Sequence, residues 1–405
     1  MPLVRSATAP LILRLNRDLA RTIKRGHPWV YADALRDLPR AAAGSAAVLL
    51  DNRKGQPIAV GFYDPDSPLA FRVCDTDGET KLDQRWAENR LREALALRKS
   101  LFDPTTTGYR LLNGEGDSTP GLVVDVYGNT AVVKLDGPGP VGFWDTSGIA
   151  EWLSHSAKVD CVYERRKERG REGRVLVGNE PQDPVSFLEH GLRFTADVIR
   201  GQKTGFFLDQ RENRHLIRGL SRGRTVLNVF SYTGGFSVAA GIGGATHVTT
   251  IDLAQPAIEA AREHWSRNEL PESQHEALAE DAFEFLARAG SNRKRWEIVI
   301  VDPPSFAPNQ ESIAKASAAY QTLITGGARV TARGGLLAVA SCSSHIDLPH
   351  FLNLCEEGIS EARRRGTVLA IQGQPPDHPS PLALPEFRYL KFVLLRVDVF
   401  ANTAN

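Results

Sequence analysis

The feature that most constrains the fold of this chain is a regular alternation of apolar strands and helical segments that begins near residue 225. A short apolar run at 226–230 predicts a buried strand, the pair Gly234 and Gly235 predicts a turn, and the apolar-periodic segment after them predicts a helix. Glycine lets the backbone approach a ligand that a Cβ atom would keep away. A strand that leads through such a turn into a helix is typical of a cofactor site.

The rest of the C-terminal half repeats this pattern. Further strands are predicted at 247–253, 276–279, 297–301, 335–341, 367–372 and 389–399, and helices at 236–241, 255–268, 282–289, 313–328 and 348–365. Repeated βα units predict an α/β fold with a doubly wound, mostly parallel seven-stranded sheet, whose ligands bind at the carboxyl ends of the strands.

The N-terminal half has a different pattern. Short β-like runs at 11–15, 46–50, 58–63 and 69–73 are separated by turn residues, and they predict a small β-barrel or sandwich with one short helix near 20–25. A helix over 81–101 and several strands then predict an α+β middle region. Because 405 residues exceed one ordinary domain, we predict three domains, at 1–76, 77–198 and 199–405.

The charge of the chain is uneven. Residues 1–54 carry ten Lys or Arg against four Asp, a net charge of +6, and since the whole chain carries +1 the remainder carries −5. A basic module suggests a polyanionic partner, and a solvated charged face is the alternative. The segment at 165–174 has six cations in ten residues, which fits a solvated loop or a phosphate contact.

The motif R-G-H-P-W-V at 25–30 places cations beside an aromatic ring. Arg25, His27 and Trp29 therefore suit contact with an RNA backbone and stacking on a base. The alternative is structural, with Trp29 in a core and His27 in a turn.

Several classes of protein are excluded by what the sequence lacks. It has no run of 18 apolar residues that would span a membrane, and its N-terminal apolar patch is interrupted by Arg14 and Arg17, unlike a signal peptide. The four cysteines form no C-x-x-C pair, which counts against a zinc site and a disulfide framework. We expect a cytoplasmic protein that binds neither membrane nor metal.

Polar side chains are predicted at the carboxyl ends of consecutive strands. Asp252 ends the second strand and suits a ribose diol, Asp281 follows the third and suits an adenine amine, and Asp302 and Cys342 follow the fourth and fifth. Each acid could instead be only a helix N-cap. Because G-x-G-x-x-G is absent, the pattern favours a ligand with adenosine but no diphosphate over a nicotinamide dinucleotide.

Over nearly all of its length the chain resembles a known family. It is similar to the class I S-adenosylmethionine-dependent methyltransferases that carry a PUA domain and form 5-methylcytosine in large-subunit (23S) ribosomal RNA. The resemblance rests on G-Q-K-T-G-F-F-L-D-Q-R at 201–211, N-V-F-S-Y-T-G-G-F at 228–236, D-P-P-S-F at 302–306, S-C-S at 341–343 and the motif at 25–30. It implies a Rossmann-like methyltransferase domain, a PUA-like RNA-binding domain, S-adenosyl-L-methionine as cofactor and ribosomal RNA as partner. Since members of the family are often dimers, a homodimer is expected.

The resemblance also implies site residues. Those expected to bind the cofactor are Gln210, Arg211, Asn228, Phe230, Tyr232, Thr233, Gly234, Gly235, Asp252, Asp281 and Asp302. Those expected to bind the substrate are Lys203, Pro303, Pro304, Phe306, Arg25, His27 and Trp29. The expected catalytic residues are Cys342 and Asp302.

The chemistry explains why a cysteine is needed. Cytosine C5 is a poor nucleophile, but a thiolate that adds to C6 makes C5 reactive, and removal of the C5 proton then lets the thiolate leave. Cys342 would be that thiolate, Asp302 the acid near N3, and Pro303 with Pro304 a rigid frame for the flat ring. The alternative for Cys342 is a buried small hydrophobe.

One departure and two alternatives remain at this point. A larger group of RNA cytosine-5 enzymes has a second cysteine in the motif that here reads D-P-P-S, and this chain has none there. Because the PUA-bearing family that the chain resembles uses only the later cysteine, we predict a single-cysteine mechanism. The base that removes the C5 proton is not assigned, and His345 and Lys203 are candidates. One alternative function is methylation of an exocyclic amine of a purine, against which Ser305 and Cys342 count. The other is a non-catalytic RNA-binding assembly factor.

Overall fold

The computed structural model describes residues 1–5, 10–166, 173–181, 184–307 and 309–399, so most of the basic segment at 165–174 lies outside the described residues. The chain divides into two compact units. Unit 1 comprises Met1–Glu189, Thr195–Leu208 and Pro376–Phe387, and unit 2 comprises His190–Phe194, Asp209–Pro375 and Arg388–Asn405. The division into three domains stays a prediction.

Among its described residues, the N-terminal half contains two five-stranded sheets, with strand orders β1-β3-β4-β5-β2 and β10-β9-β8-β7-β6, and a hairpin. Its strands are β1 (Leu11–Arg14), β2 (Trp29–Val30), β3 (Ser45–Leu50), β4 (Pro57–Tyr63), β5 (Phe71–Asp75), β6 (Gly108–Asn113), β7 (Leu122–Tyr127), β8 (Thr130–Leu135), β9 (Cys161–Arg165), β10 (Arg174–Val177), β11 (Val185–Glu189) and β12 (Leu192–Ala196). Its helices are α1 (Ala20–Lys24), α2 (Gln84–Leu101), α3 (Pro138–Phe143) and α4 (Thr146–Trp152). The predicted short strands and first helix are confirmed.

The C-terminal half is the predicted α/β fold. Its strands are β13 (Thr225–Val229), β14 (His247–Asp252), β15 (His275–Ala279), β16 (Trp296–Val301), β17 (Thr331–Ser341), β18 (Arg364–Gln372) and β19 (Lys391–Val399). Its helices are α5 (Arg211–Leu220), α6 (Gly235–Ile242), α7 (Gln255–Arg267), α8 (Ala282–Ser291), α9 (Ile313–Val330) and α10 (Leu348–Glu361).

The seven strands form one sheet in the order β15-β14-β13-β16-β17-β19-β18. The five strands from β13 to β17 run parallel, and β19 runs antiparallel to both of its neighbours. The prediction of a mostly parallel seven-stranded sheet is therefore confirmed. The chain leaves β13 toward β14 and later returns to β16 on the other side of β13, which opens a crevice where the loops after β13 and β16 diverge.

Alternate residues of the central strands point to opposite faces of the sheet, and both faces are buried. Leu227 and Val299 pack with α8, α9 and α10 on one face, whereas Val226 and Ile298 pack with α5, α6 and α7 on the other. Burial on both faces explains why these strands are continuous apolar runs in the sequence.

In the C-terminal half, one helix ends earlier than predicted and another helix was not predicted. The helix predicted at 348–365 ends at Glu361, because Arg363 adopts a left-handed φ of 56° and β18 begins at Arg364. Helix α5 was not predicted, because its sequence R-E-N-R-H-L-I-R-G-L has only three apolar residues, although Ile217 among them is fully buried.

Within the described residues, no helix combines the length and the apolar character that a membrane span requires. The same residues contain no group of three or more His, Cys, Asp or Glu side chains that could hold a metal ion.

Candidate active site

The turn between β13 and α6 has a strained backbone. Phe230 and Tyr232 have φ angles of 57° and 48°, in the left-handed region that side chains of this size avoid, and Gly234 follows at 76°. Residues held there cost on the order of 1–3 kcal/mol each and persist only where their surroundings fix them. Asp252, at the end of β14, provides that constraint, because its Oδ2 accepts a hydrogen bond from Tyr232 N at 2.8 Å and its Oδ1 accepts one from Ala254 N at 3.0 Å.

Helix α6 starts directly after this turn with an N-terminus that no side chain caps. Gly234 occupies the N-cap position and contributes no side-chain hydrogen bond. The buried Oγ1 of Thr233, beside it, has no hydrogen-bond partner among the described residues. Uncapped amides at a helix N-terminus attract negative charge, so the turn offers a place for an anionic or polar group of a ligand.

Asp281 follows β15 and caps helix α8. Its Oδ1 accepts hydrogen bonds from Phe283 N at 2.8 Å and from Glu284 N at 3.0 Å, so the N-cap alternative holds for this oxygen. In the described part of the chain no hydrogen bond to the second oxygen, Oδ2, is formed. The carboxylate can therefore cap the helix and still accept a hydrogen bond from a ligand.

Four aromatic side chains form a row from the strained turn to helix α9. Consecutive ring centroids of Phe230, Phe283, Phe306 and Tyr320 lie 6.1, 6.5 and 5.1 Å apart. This row links the predicted adenine-binding acid to the D-P-P-S-F motif and gives the crevice an apolar wall.

The loops that carry the two predicted catalytic residues are joined by hydrogen bonds. Ser305 Oγ lies 3.0 Å from Ser343 Oγ, which also accepts a hydrogen bond from Ala307 N at 3.4 Å. Cys342, next to Ser343, is half-buried, whereas the other cysteines of the chain are buried. Asp302 and Cys342 therefore stand on two adjacent loops that are fixed to each other.

The hydroxyl of Tyr320 contacts the two serines that flank Cys342. Its hydroxyl accepts a hydrogen bond from Ser341 Oγ at 3.0 Å and lies 3.1 Å from Ser343 Oγ. Burial raises the pKa of Tyr320, and negative charge at Cys342 and Asp302 raises it further. One buried phenol thus lies within electrostatic range of both predicted catalytic groups.

Gln210 contacts the predicted catalytic carboxylate directly. Its Nε2 donates a hydrogen bond to Asp302 Oδ2 at 2.9 Å, and its own Oε1 accepts one from Asn213 Nδ2 at 2.6 Å. The next residue, Arg211, is fully buried and donates to Glu212 Oε1 at 3.0 Å. The segment that the sequence assigned to the cofactor pocket therefore fixes the orientation of Asp302.

Asn228 lies in an interior network beneath the strained turn. It is fully buried and donates through Nδ2 to Ser237 Oγ at 2.9 Å, while its Oδ1 has no partner among the described residues. Ser237 also accepts a hydrogen bond from Thr250 Oγ1 at 2.8 Å, and this hydroxyl lies 2.8 Å from His275 Nε2. Asn228 thus supports the turn from below.

The three predicted RNA-binding residues near the N-terminus belong to unit 1. Trp29 is partly buried, donates through Nε1 to Glu115 Oε1 at 2.8 Å and meets the ring of Phe387 edge-on at 5.9 Å. His27 Nδ1 lies 3.1 Å from the carbonyl oxygen of Trp29, a turn contact, and Arg25 is exposed.

The remaining predicted residues lie on loops. Lys203, in unit 1, has a left-handed φ of 52° and holds its ammonium 4.5 Å above the ring of Phe207. In unit 2, Pro303 is buried, whereas Pro304 and His345 are exposed.

Sequence reasoning missed three residues that the structure brings to this site. Tyr320 and Asn213 lie inside helices and have no distinguishing motif. Lys391 does have a signal, because it is a lysine at the first position of the apolar strand K-F-V-L-L.

Two family models match the chain. Residues 149–385 match the S-adenosylmethionine-dependent methyltransferase model, and residues 13–76 match that of a PUA-like domain.

Similar proteins agree with these matches. The chain is 38% identical to a protein of Deinococcus radiodurans named ribosomal RNA large subunit methyltransferase, over 97% of this chain and 99% of that protein. A solved structure of a candidate S-adenosylmethionine-dependent methyltransferase from Streptococcus mutans superimposes with a TM-score of 0.83 at 25% identity, over 95% of this chain and 100% of the other. A candidate methyltransferase solved in complex with SAH has the same TM-score of 0.83 at 25% identity, over 96% and 100% of the two chains.

Proposed function

Because the chain belongs to the S-adenosylmethionine-dependent methyltransferase family and carries a PUA-like domain, we propose that it forms 5-methylcytosine in large-subunit ribosomal RNA through a covalent bond between Cys342 and C6 of cytosine. The RNA follows from the name of the Deinococcus radiodurans relative. The observation that carries the proposed chemistry is the hydrogen-bonded pair of loops that hold Asp302 and a half-buried Cys342.

S-adenosyl-L-methionine is the cofactor of this family, and the residues of the crevice fit it. The uncapped N-terminus of α6 and Thr233 Oγ1 suit the methionine carboxylate and amine, Asp252 suits the ribose hydroxyls, and Oδ2 of Asp281 suits the adenine amine. When bound, the cofactor supplies an electrophilic methyl group on a sulfonium.

The residues of the chain would make the cytosine ring receptive to that methyl group. The Cys342 thiolate forms a bond to C6, and Asp302 donates a proton to N3 as negative charge develops there. C5 is then an enamine carbon and can be methylated. Removal of the C5 proton by a base breaks the bond between sulfur and C6, N3 returns its proton, and the aromatic ring is restored.

Gln210 has a defined part in this mechanism. Because its amide donates to Oδ2 of Asp302, it fixes the carboxyl group against rotation and holds it toward the ring. The base that removes the C5 proton stays unassigned, with Lys203 and the exposed His345 as candidates.

The proposal is tested by trapping the covalent adduct. With 5-fluorocytosine in the substrate RNA, C5 carries no proton that a base can remove, so the bond from Cys342 to C6 should accumulate as a protein–RNA species that survives denaturing electrophoresis. Cys342→Ala should give none, and Cys355→Ala, which changes a buried cysteine of the same unit, should trap as well as the wild type.

The two alternatives give other results in the same experiment. An enzyme that methylates an exocyclic amine would consume the cofactor without an adduct and yield an N-methylated purine. An assembly factor without activity would bind RNA and form neither product nor adduct. Either result would refute the proposal.

We also propose that the protein is a homodimer. Strand β18 lies at the edge of the seven-stranded sheet, and its Val368, Leu369 and Ile371 are 49%, 51% and 45% exposed. An apolar edge strand can pair with a second copy across a two-fold axis. Size-exclusion chromatography with light scattering should give twice the chain mass, and a monomer at micromolar concentration would contradict it.

A cytoplasmic location stays a prediction that follows from the proposed ribosomal RNA substrate.

A further inference from the structure

Lys391 is a buried lysine whose charge the mechanism above does not use. It begins β19 directly opposite Ser341 and is only 5% exposed. Its ammonium donates hydrogen bonds to the carbonyl oxygens of Ser343 at 2.6 Å and of Tyr389 at 2.8 Å. Lysine is almost never buried unless it is paired, so this position needs an explanation.

The contacts place the ammonium at the loop that carries the proposed nucleophile. The carbonyl of Ser343 belongs to the residue directly after Cys342, so the bond from Lys391 ties that loop to the start of β19. The second contact joins the same ammonium to the carbonyl of Tyr389, and the Tyr389 hydroxyl donates a hydrogen bond to Asp209 Oδ2 at 2.7 Å. The nucleophile loop, β19 and the turn before α5 are thus held by one chain of contacts.

Electrostatics agree with this placement. Burial lowers the pKa of Lys391 to about 8, while negative charge on Cys342 and on Asp347 acts to raise it. The amine of Lys391 is therefore mostly protonated at neutral pH, and its positive charge interacts favourably with a thiolate at Cys342.

Three other titratable groups belong to this part of the site, beside the exposed His345 of the same loop. Tyr320 is a phenol whose raised pKa keeps it neutral, and Asp302 and Asp347 carry carboxyl groups, of which Asp347 caps α10 by accepting a hydrogen bond from His350 N at 2.9 Å. Carboxylates oppose the formation of a nearby thiolate, whereas an ammonium favours it. Of these four groups, Lys391 alone can stabilise the reactive form of Cys342.

We propose that Lys391 is the positioning residue of the nucleophile: its ammonium fixes the Cys342 loop through the Ser343 carbonyl and supplies the positive charge that favours the thiolate. This role rests on the proposed function, in which Cys342 attacks the cytosine ring. Lys391 touches neither substrate nor cofactor in this account, and it acts through Cys342.

The test is the reactivity of Cys342 toward iodoacetamide in the full-length protein. Alkylation is followed by peptide mass spectrometry from pH 5 to pH 10, without RNA. Lys391→Gln keeps a polar N–H donor on a side chain that is one bond shorter, and it removes the charge. The midpoint of the rate profile should therefore move up by about one pH unit or more, with roughly tenfold slower alkylation at pH 7. Lys391→Arg, which keeps a charge, should restore most of the reactivity.

A matched control and a folding check keep the result interpretable. Lys315→Gln removes an exposed lysine from α9 and should leave the profile unchanged. Calorimetric binding of S-adenosylhomocysteine should give the same affinity for wild type, Lys391→Gln and Lys391→Arg, which shows that each protein is folded. If a folded Lys391→Gln protein has the wild-type alkylation profile, Lys391 has no electrostatic role and the proposal is wrong.

The experiment also separates this proposal from the proposed function. A shifted profile in a protein that makes no 5-methylcytidine would refute the proposed reaction and leave the link between Lys391 and the thiol in place. An unshifted profile in a protein that does make 5-methylcytidine would refute only the role of Lys391.

Discussion

The strained turn after β13 should depend on a single carboxylate. Asp252 accepts two backbone hydrogen bonds, from Tyr232 N and Ala254 N, and the first of these holds a left-handed tyrosine in place. We predict that Asp252→Asn loosens the turn before any cofactor binds, because an asparagine side chain has one acceptor oxygen and presents an N–H group to the other amide donor.

The magnitude follows from the bond that is lost. A hydrogen bond to a charged acceptor is worth about 1.5–3 kcal/mol, and one of the two must break. If the cofactor has to restore the turn, its affinity should fall by roughly tenfold to a hundredfold, since about 1.4 kcal/mol corresponds to one factor of ten.

Two assays check this prediction. Hydrogen–deuterium exchange in the cofactor-free protein should be faster in the variant for the peptide that covers 230–236, and calorimetry with S-adenosylhomocysteine should show the weaker affinity. The matched control is Asp145→Asn. Asp145 also accepts hydrogen bonds from two backbone amides, Ser147 N at 3.0 Å and Gly148 N at 3.1 Å, but it caps α4 in unit 1. If Asp252→Asn leaves exchange at 230–236 unchanged, the carboxylate does not hold the turn and the reasoning fails.

Three further predictions concern other parts of the molecule. Burial, with the charges of Arg262 and His247, lowers the pKa of His275 from 6.5 to about 4 in the folded state. The free energy of unfolding should therefore fall by up to about 3 kcal/mol as the pH drops from 6.5 to 4, and urea titrations should show a smaller fall in the His275→Gln variant. Arg98 and Asp117 form a bidentate ion pair at 2.5 and 2.7 Å with side chains 1% and 5% exposed, so Arg98→Met should destabilise the protein by about 3–5 kcal/mol in the same titrations, and a loss below about 1 kcal/mol would show that the pair is dispensable. If the ring of Trp29 stacks on a base, Trp29→Leu should weaken binding of a large-subunit RNA fragment by roughly tenfold to a hundredfold in fluorescence anisotropy, and the salt dependence should not change because no charge is lost. Unchanged affinity would mean that Trp29 only packs against Phe387.

The sequence predicted the structure best in the central sheet, whose two faces are both buried. Strands β13 to β17 are apolar runs because both faces of the sheet are covered, and the helices between them have apolar periodicity, so the α/β fold and its strand ends followed from the sequence. Where the local sequence favours one structure and the tertiary contacts favour another, the prediction from sequence was wrong. The residues at 362–365 are A-R-R-R, which suits a helix, yet the left-handed Arg363 ends the helix and the guanidinium of Arg364 is buried against the carbonyl oxygens of Ala328 and Thr331.

Some residues of the site could be predicted from the sequence and others could not. The acids at the strand ends were found from their positions. The direction of the Asn228 side chain was not, because the sequence of a strand buried on both faces does not reveal which way each side chain points. The contact of Gln210 with Asp302 joins residues 92 positions apart, and that of Lys391 with Ser343 joins residues 48 apart. Such contacts depend on how the loops meet in space, and no local pattern in the sequence records them.

The most direct test of the account is nucleoside mass spectrometry of large-subunit ribosomal RNA after incubation with S-adenosyl-L-methionine and either the wild-type protein, Cys342→Ala or Cys355→Ala. The account predicts 5-methylcytidine with the wild type and with Cys355→Ala, and none with Cys342→Ala. An N-methylated purine as the product, or full activity in Cys342→Ala, would contradict it and make Cys342 a packing residue.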